Sequence, residues 1–334
     1  MWIGVGNRFA RPLAGGGLGN RAPSLDVSFL SSTLDPRFTF TRASTATDGL
    51  FTDAAGSGFN SFSSGAPRIT PTNGLLLEQS TNNFLLNSGA PVTQTTGSLS
   101  TSTYCLWVIG TGSAAITAGT ATITGAGTAT AGTFVVFNVT VAGTVTVTVT
   151  GSLTRFQLEQ TAVPTSYVPT TGVTASRAAE SCTVATGAWF NAAASTIMAE
   201  ARLVNSTSQS PVVLCMDDGT VTNRFFINCG TALHANMQVT NAGSSTNNTT
   251  ANSMAIGNVF KMAGSISSVG IGAALLGVAT TARTALPAGG VPVVNTLRVG
   301  FIANPASQPF DGFIRRVSYY PRDLWPSDLA RITV

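Results

Sequence analysis

The sequence has very few charged residues. Only 9% of its 334 residues are Asp, Glu, Lys or Arg, against roughly 25% in an ordinary soluble protein. Lys261 is the single lysine, and the arginines are spread along the chain rather than gathered in one segment. Nucleic-acid binding is therefore not predicted, because it needs clustered bases. Arginines of this kind favour ion pairs, and we expect Asp311, Arg315 and Arg316 to pair with each other or with neighbours.

Groups that perform catalysis are equally scarce. His234 is the only histidine, and we interpret it as a structural residue because no nucleophile with an acid can be placed beside it. Glycoside hydrolysis needs a pair of suitably spaced carboxylates, and the chain has only four glutamates. No enzymatic activity, catalytic residue or cofactor is predicted.

Cysteine spacing and apolar runs exclude further classes of site. The cysteines at 105, 182, 215 and 229 contain no Cys-x-x-Cys pair, so neither a metal site nor a redox motif is predicted. We expect buried free thiols, with Cys215 facing Cys229 across a hairpin as the alternative. The apolar stretch at 266–282 is short and interrupted by Gly and Ser, which indicates a pair of strands and no membrane insertion.

The residues that dominate are Gly, Thr, Ser, Ala and Val, a composition typical of short strands and turns. Residues 134–141 and 144–150 follow strand patterns, the second alternating valine with threonine. No charged residue occurs from Gln79 to Thr154, so sheet edges there are expected to be covered by other subunits. These patterns predict an all-β protein of two antiparallel, jelly-roll-like sandwiches and favour a homo-oligomer.

A proline-containing stretch separates the two predicted sandwiches. Pro164 and Pro169 exclude an interior helix or a central strand, and Tyr167 suits a connector held on a domain surface. We predict an N-terminal assembly arm at 1–27, an uncharged sandwich at 28–160, a joint at 161–177 and a second sandwich at 178–334. The arm is basic and rich in glycine, and its candidate contact residues are Trp2, Arg8, Phe9 and Arg11.

A sugar site needs an exposed aromatic face and side chains that hydrogen-bond hydroxyls. The candidate ligand-binding residues are Trp189, Asp217, Asp218 and Asn223, with Trp325 as a further aromatic. Each has a structural alternative, since a sandwich would bury Trp189 and Trp325 is close to a predicted C-terminal helical turn. Asp217-Asp218-Gly219 is typical of a tight hairpin turn. A calcium or sugar-hydroxyl site at the two carboxylates is the alternative there.

Three sets of motifs follow one another along the chain. The first consists of LDPRFTFTRASTAT at 34–47, APR at 66–68 and GLLLE at 74–78. The second consists of FQLE at 156–159, TSYVPTTG at 165–172 and SRA at 176–178. The third consists of LRVG at 297–300 and DGFIRRVSYYPR at 311–322. Together they resemble bacteriophage virion proteins, fibre- or appendage-like, that end in a concanavalin A-like (laminin-G-like) lectin domain.

The resemblance implies a non-enzymatic virion structural protein, a fibre or decoration protein exposed on the particle surface. Its second sandwich would be of the concanavalin A type and would be presented to host surface polysaccharide. The arm would contact other virion proteins, and we expect a homotrimer because fibres commonly have threefold symmetry. The alternatives are a polysaccharide depolymerase of the tailspike type and a scaffolding capsid decoration protein without a ligand. Asp48-Gly49 departs from the aromatic that commonly follows the first motif, which leaves the glycan open.

Overall fold

A computed structural model describes residues 22–53, 59–205, 210–303 and 308–334. The strands of the first half are β1 Leu25–Ser28, β2 Thr39–Thr41, β3 Ala46–Thr47, β4 Ser61–Phe62, β5 Arg68–Thr70, β6 Gly74–Leu77, β7 Thr81–Asn83, β8 Gln94–Thr95, β9 Ser102–Ala118, β10 Thr122–Thr124, β11 Thr128–Thr130, β12 Phe134–Val141 and β13 Val145–Glu159. Those of the second half are β14 Ala175–Arg177, β15 Ser181–Ala185, β16 Ala194–Leu203, β17 Val212–Asp217, β18 Arg224–Cys229, β19 His234–Asn241, β20 Ser244–Ser253, β21 Val259–Ser267, β22 Gly270–Leu275, β23 Val278–Ala279, β24 Thr296–Val299 and β25 Gly312–Tyr320. A 3-10 turn at Thr231–Leu233 and the helix α1 Ser327–Arg331 complete these elements. The predicted all-β fold is confirmed, and α1 lies where a helical turn was predicted.

Two antiparallel sheets pack as a β-sandwich, which we call the large sandwich. Its eight-stranded sheet has the order β23-β22-β21-β16-β25-β6-β5, with β1 also paired to β25. Its seven-stranded sheet has the order β2-β15-β24-β17-β18-β19-β20. Side chains from both sheets form one core, in which Val317 and Tyr319 of β25 join Phe225 of β18 and Met237 of β19. Burial of this apolar surface stabilises the sandwich.

A six-stranded sheet, in the order β10-β12-β9-β13-β8 with β11 on β9, forms a second module. Its long strands β9 and β13 bend where Gly112 pairs with Gly151. A Cβ atom on Gly112 would overlap the carbonyl oxygen of Thr150, so glycine is required at the bend. Residues on both sides of the bend, such as Tyr104 and Ile116, therefore reach a single core.

The sheets do not divide at the predicted boundaries of 28–160 and 178–334. Strand β1, which crosses the predicted end of the arm at residue 27, pairs with β25, so that Leu25 lies opposite Tyr319. Strands β2, β5 and β6, inside the predicted first sandwich, belong to the two sheets of the large sandwich. The six-stranded sheet is thus inserted between β6 and β15, and the paired strands β7 and β14 flank it. Local alternation shows that a strand exists but carries no information on a partner so distant in sequence.

The predicted joint is mostly buried over residues 161–170 and mostly exposed over residues 171–176. The Tyr167 amide donates to the carbonyl oxygen of Gly49 at 2.8 Å, and its hydroxyl lies 2.7 Å from that of Ser88. Its ring contacts Trp107 of β9 with a centroid distance of 6.3 Å. The joint therefore links the second module to the connection between β3 and β4, two strands that form a separate small sheet. The predicted arm residues Trp2, Arg8, Phe9 and Arg11 lie outside the described residues.

The predictions for cysteines and for the apolar stretch can be compared with the strands. All four cysteines are buried free thiols. Cys215 pairs with Phe226 and Cys229 with Ala235, so the alternative in which the two thiols face each other is wrong. The stretch at 266–282 contributes to β21, β22 and β23. No helix in the described part of the chain is long and apolar enough to cross a membrane.

Candidate functional site

The seven-stranded sheet turns its second face away from the core, and polar side chains line up there across the strands. The pairing register of the strands defines two rows of side chains on this face, because directly paired residues point to the same side of a sheet. The first row runs Thr183, Arg298, Cys215, Phe226, Gln238, Asn247. The second row runs Thr296, Asp217, Arg224, Thr240, Ser245. We call these two rows the outer face; hydroxyl, amide and guanidinium groups predominate in it.

Asp217, a predicted ligand-binding residue, positions an arginine of the outer face. Its carboxylate receives Nε of Arg298 at 2.6 Å and Nη2 at 3.0 Å, a bidentate ion pair. The amide of Gly219 donates to the same carboxylate at 2.8 Å. Asp217 is fully buried, whereas the side chain of Arg298 is 17% exposed. The exposed group of this pair is thus the guanidinium, which Asp217 holds in one orientation.

Asp218 and Asn223, also predicted ligand-binding residues, organise the loop between β17 and β18. The Asp218 carboxylate accepts hydrogen bonds from the amide of Thr220 at 2.9 Å and from Nδ2 of Asn223 at 2.8 Å. Burial raises the pKa of Asp218, but these hydrogen bonds outweigh it and leave the pKa below its ordinary value. Asn223 also accepts the amide hydrogen of Ala242 at 3.0 Å. The hairpin is confirmed, but its connection is longer than the tight turn predicted.

The fourth predicted residue, Trp189, packs into the large sandwich. Its ring meets Tyr319 edge to face at a centroid distance of 4.8 Å and Phe190 at 6.1 Å. It belongs to the partly buried fringe of the main core. The further aromatic candidate is Trp325, and the guanidinium carbon of Arg283 lies 4.5 Å from the centroid of its ring. Both tryptophans thus have packing partners of the kind that the structural alternative describes.

Arg224 is the outer-face residue that sequence reasoning missed. It is half-buried, and its guanidinium carbon lies 5.0 Å from the ring centroid of Phe226. Its Nε and Nη1 are buried and have no hydrogen-bond partner among the described residues. Gln238, half-buried, lies opposite Phe226 and adjoins it in the first row. A planar donor group fixed over an aromatic ring, beside an amide, is an arrangement that binds oxygen-rich ligands.

A buried ion network occupies the region where the joint meets the large sandwich. Arg68 donates Nε and Nη2 to Glu180 at 2.8 and 2.5 Å, and Arg42 donates Nη1 to the same carboxylate at 2.8 Å. Arg68 also lies 2.8 Å from Glu78, and Arg177 lies 3.5 Å from Glu78. These five side chains are at most 3% exposed. Four of the five lie in or directly beside the first two motif sets, so those motifs supply a structural network.

Burial and charge shift the pKa values of the carboxyl groups in and around this network in opposite directions. Burial raises the pKa of Glu78, but the charges of Arg177 and Arg68 outweigh it and lower the value to about 2. Burial raises the pKa of Glu159 above its ordinary value despite hydrogen bonds from Thr165 and Trp107. Burial and the charge of Glu78 raise the pKa of Asp311 to about 7. The charges of Arg177 and Arg68 thus set the direction of the pKa shift at Glu78, whereas burial sets it at Glu159 and Asp311.

Of Asp311, Arg315 and Arg316, which were predicted to form pairs, the two arginines do so with neighbours. Arg315 pairs with Glu200, its Nε 2.7 Å from the carboxylate. Arg316 pairs with Asp26 of β1, which fastens that strand to β25. Asp311 instead accepts Nε2 of Gln79 at 3.0 Å. In the described part of the chain no three His, Cys, Asp or Glu side chains come together as metal ligands would.

Comparison with known proteins gives similarities of fold. No family model matches the chain, and no curated protein matches it. Ruminococcus gnavus IT-sialidase CBM40 aligns with a TM-score of 0.38 and 16% identity, over 43% of this chain and 84% of that one. Domain 4 of AbnA, a GH43 extracellular arabinanase from Geobacillus stearothermophilus, in complex with arabinotriose, aligns with a TM-score of 0.40 and 13% identity, over 51% and 81%. The NanB sialidase from Streptococcus pneumoniae aligns with a TM-score of 0.35 and 10% identity, over 44% of this chain and 25% of that one.

Proposed function

We propose that this chain is a non-enzymatic structural protein of a bacteriophage particle whose outer face binds host surface glycan. The observation that carries the glycan-binding part is Arg224, a half-buried arginine whose buried Nε and Nη1 have no hydrogen-bond partner among the described residues, on an otherwise hydroxyl- and amide-rich sheet face. Sugars present many hydroxyl groups, each of which both donates and accepts. A surface that combines fixed donors with amide and hydroxyl acceptors matches that chemistry.

Preorganisation supports the same assignment. Arg298 is held by Asp217 and lies 5.5 Å from the ring centroid of Phe301, while Arg224 lies over Phe226. Side chains that are already fixed lose little conformational entropy when a ligand arrives. Thr240 and Ser245 extend the second row with paired hydroxyls 2.9 Å apart. Phe226, Cys215 and Asp217 of the outer face are fully buried, so they serve as a fixed base for the partly exposed side chains of Arg224 and Arg298.

The absence of catalysis is part of the proposal, and the environment of the acids supports it. Within the two rows Asp217 is the only carboxylate, and its oxygens are occupied by Arg298. Retaining hydrolysis needs two carboxyl groups about 5 Å apart and inverting hydrolysis about 6.5–9.5 Å, on either side of the scissile bond. Glu78, Glu159 and Glu180 are buried away from that face. A depolymerase would have to work elsewhere.

The place on the particle is proposed from the motif resemblance. The motif residues Arg42, Arg68, Glu78 and Arg177 meet in one buried network although they are distant in sequence. Motifs that build a common interior favour a shared fold with the proteins they resemble. We propose that other virion proteins are partners of the part of the predicted arm that precedes β1, and that the assembly is a homotrimer. Light scattering of the purified chain tests the assembly, and a monomer mass at all concentrations would refute the trimer.

The test of glycan binding is attachment of fluorescently labelled protein to intact bacteria and to their purified polysaccharide. Wild type is compared with Arg224→Gln and with Arg331→Gln, which removes the same charge from α1, away from the outer face. We expect Arg224→Gln to weaken attachment about tenfold or more and Arg331→Gln to leave it unchanged. Release of reducing ends would establish a depolymerase instead. Attachment to no bacterium or glycan would favour pure scaffolding.

A further inference from the structure

The outer face carries more positive than negative charge. Its two rows contain two guanidinium groups, those of Arg224 and Arg298, and one carboxylate, that of Asp217; the other side chains of the rows are neutral. Only 9% of the residues in this chain are charged, so a single uncompensated charge weighs heavily in the electrostatic potential of the face. The rows are thus left with one positive charge for a ligand or solvent ions to balance.

Asp217 does not neutralise both arginines. It is paired with Arg224 in the register of β17 and β18, but its carboxylate accepts Nε and Nη2 of Arg298 at 2.6 and 3.0 Å and the amide of Gly219 at 2.8 Å. Arg224 forms no ion pair with a carboxylate within the described ranges. Its positive charge is therefore held in a half-buried position without a carboxylate of the described chain in contact.

The acid next along the chain, Asp218, is used within the connection between β17 and β18. Its carboxylate accepts the amide and the hydroxyl of Thr220 at 2.9 and 2.6 Å and Nδ2 of Asn223 at 2.8 Å. Burial raises the pKa of this carboxyl, and hydrogen bonds from Thr220 and Asn223, not an arginine, lower it below its ordinary value. Asp218 therefore stabilises the hairpin and does not supply a partner for Arg224.

Each of the two arginines has one guanidinium nitrogen left for a ligand. Nε and Nη1 of Arg224 are buried and have no hydrogen-bond partner among the described residues, whereas Nη2 is not one of these buried atoms. Arg298 gives Nε and Nη2 to Asp217, which leaves Nη1. The rings of Phe226 and Phe301, with centroids 5.0 and 5.5 Å from the respective guanidinium carbons, hold the two groups in place. A fixed, partly desolvated guanidinium attracts a carboxylate more strongly than a solvated one does.

We propose that the outer face selects acidic polysaccharides and that a carboxylate of the glycan, such as that of a uronic acid residue, lies on Arg224. This inference rests on the glycan binding proposed above and names the class of glycan. The carboxylate would supply the negative charge that the rows lack, and the sugar hydroxyls would bond to the neighbouring Gln238, Ser245 and Asn247. A neutral glycan would leave the charge of Arg224 unbalanced, so the face should distinguish the two kinds of glycan.

The test is binding of the full chain to immobilised polyglucuronic acid and to the same polymer after its carboxyl groups have been reduced to primary alcohols. We expect the acidic polymer to bind about tenfold more tightly or better, and added salt to narrow the difference. Arg224→Gln should remove the preference, and Arg224→Lys should retain part of it because lysine keeps the charge. Arg331→Gln on α1, the control with the same change in net charge, should keep the full preference.

The proposed function and this inference fail in different ways. If wild type attaches to bacterial glycan but binds the acidic polymer no better than the reduced one, selection of acidic glycans is wrong and glycan binding stands. A preference that Arg224→Gln and Arg331→Gln both leave unchanged, or reduce equally, would also overturn the selection, because the charge would then act from elsewhere. Attachment of wild type to no bacterium, glycan or polymer would overturn both.

Discussion

Arg68 and Glu180 form a bidentate ion pair between the two sheets of the large sandwich, with distances of 2.8 and 2.5 Å. Arg68 begins β5 of the eight-stranded sheet, and Glu180 directly precedes β15 of the seven-stranded sheet. Neither side chain is exposed. The pair thus fastens the sheets at the place where the second module is inserted.

Removing the charge of Glu180 should strongly destabilise the protein. Glu180→Gln leaves Arg42 and Arg68 buried without their shared carboxylate, and we expect a loss of about 3–5 kcal/mol in the free energy of unfolding. Urea denaturation followed by circular dichroism measures it. The control is Arg37→Gln, which breaks the surface pair with Asp35, 45% and 23% exposed, and should cost at most about 1 kcal/mol. Equal effects of the two variants would contradict a structural role for the network.

Asp311 should make stability fall as pH rises. Burial and the charge of Glu78 raise its folded-state pKa from 3.8 to about 7, so the folded state binds the proton more tightly than the unfolded state. Its contribution is complete below 3.8 and is lost as pH rises toward 7. We expect Asp311→Asn to reduce this slope in urea titrations over that interval. An unchanged slope would show that Asp311 ionises normally.

Glu78 should act in the opposite direction at acid pH. Its folded-state pKa is lowered from 4.5 to about 2 because the charges of Arg177 and Arg68 outweigh burial. Its contribution is present above 4.5 and is lost as pH falls toward 2. Wild type should therefore lose stability in acid over this interval, and Glu78→Gln should lose less. Parallel curves for the two proteins would contradict the ion pairs of Glu78.

The four thiols should be unreactive in the folded protein. All are buried, and burial raises the pKa of Cys229 to about 12, so almost no thiolate is present near neutral pH. We expect no reaction with a disulfide reagent at pH 8 and four equivalents after unfolding in urea. Ser244→Cys, at an exposed position, serves as a control that reacts at once. Rapid labelling of a native thiol would show that the sheets open.

Gly272 should tolerate no side chain, because a Cβ atom there would overlap the ring of Trp325. We expect Gly272→Ala to cost about 1–3 kcal/mol and to change tryptophan fluorescence as Trp325 moves off Arg283. Gly172→Ala is the matched control, since nothing lies within 4 Å of its Cβ position. It should change stability by less than about 1 kcal/mol. If Gly272→Ala changed neither the stability nor the tryptophan fluorescence, the ring of Trp325 would be free to move.

The sequence predicts strands correctly where the pattern of side chains is local. The prediction at 134–141 coincides with β12, and the valine–threonine alternation at 144–150 is the first half of β13. The pairing of β1 and β6 could not be predicted from the sequence, because both strands pair with β25 at the other end of the chain. The motif resemblance located the network residues without revealing their contacts.

Only some residues of the candidate site could be predicted from the sequence. The sequence indicates Asp217, Asp218 and Asn223 as carboxylate and amide groups on a turn, and they do lie at one end of the outer face. Arg224 was missed because an arginine that begins a strand is ordinarily a solvated charge. The features that distinguish it are its position over Phe226 and two buried nitrogens without a partner in the described ranges, and both depend on the three-dimensional structure.

The most direct measurement is titration of an immobilised bacterial glycan array with wild type, Arg224→Gln and Arg331→Gln at matched concentrations. The account predicts dose-dependent binding of wild type and Arg331→Gln to the same glycans, with binding of Arg224→Gln reduced about tenfold or more. Identical binding curves for all three folded proteins, or binding to no glycan on the array, would contradict a glycan site on the outer face.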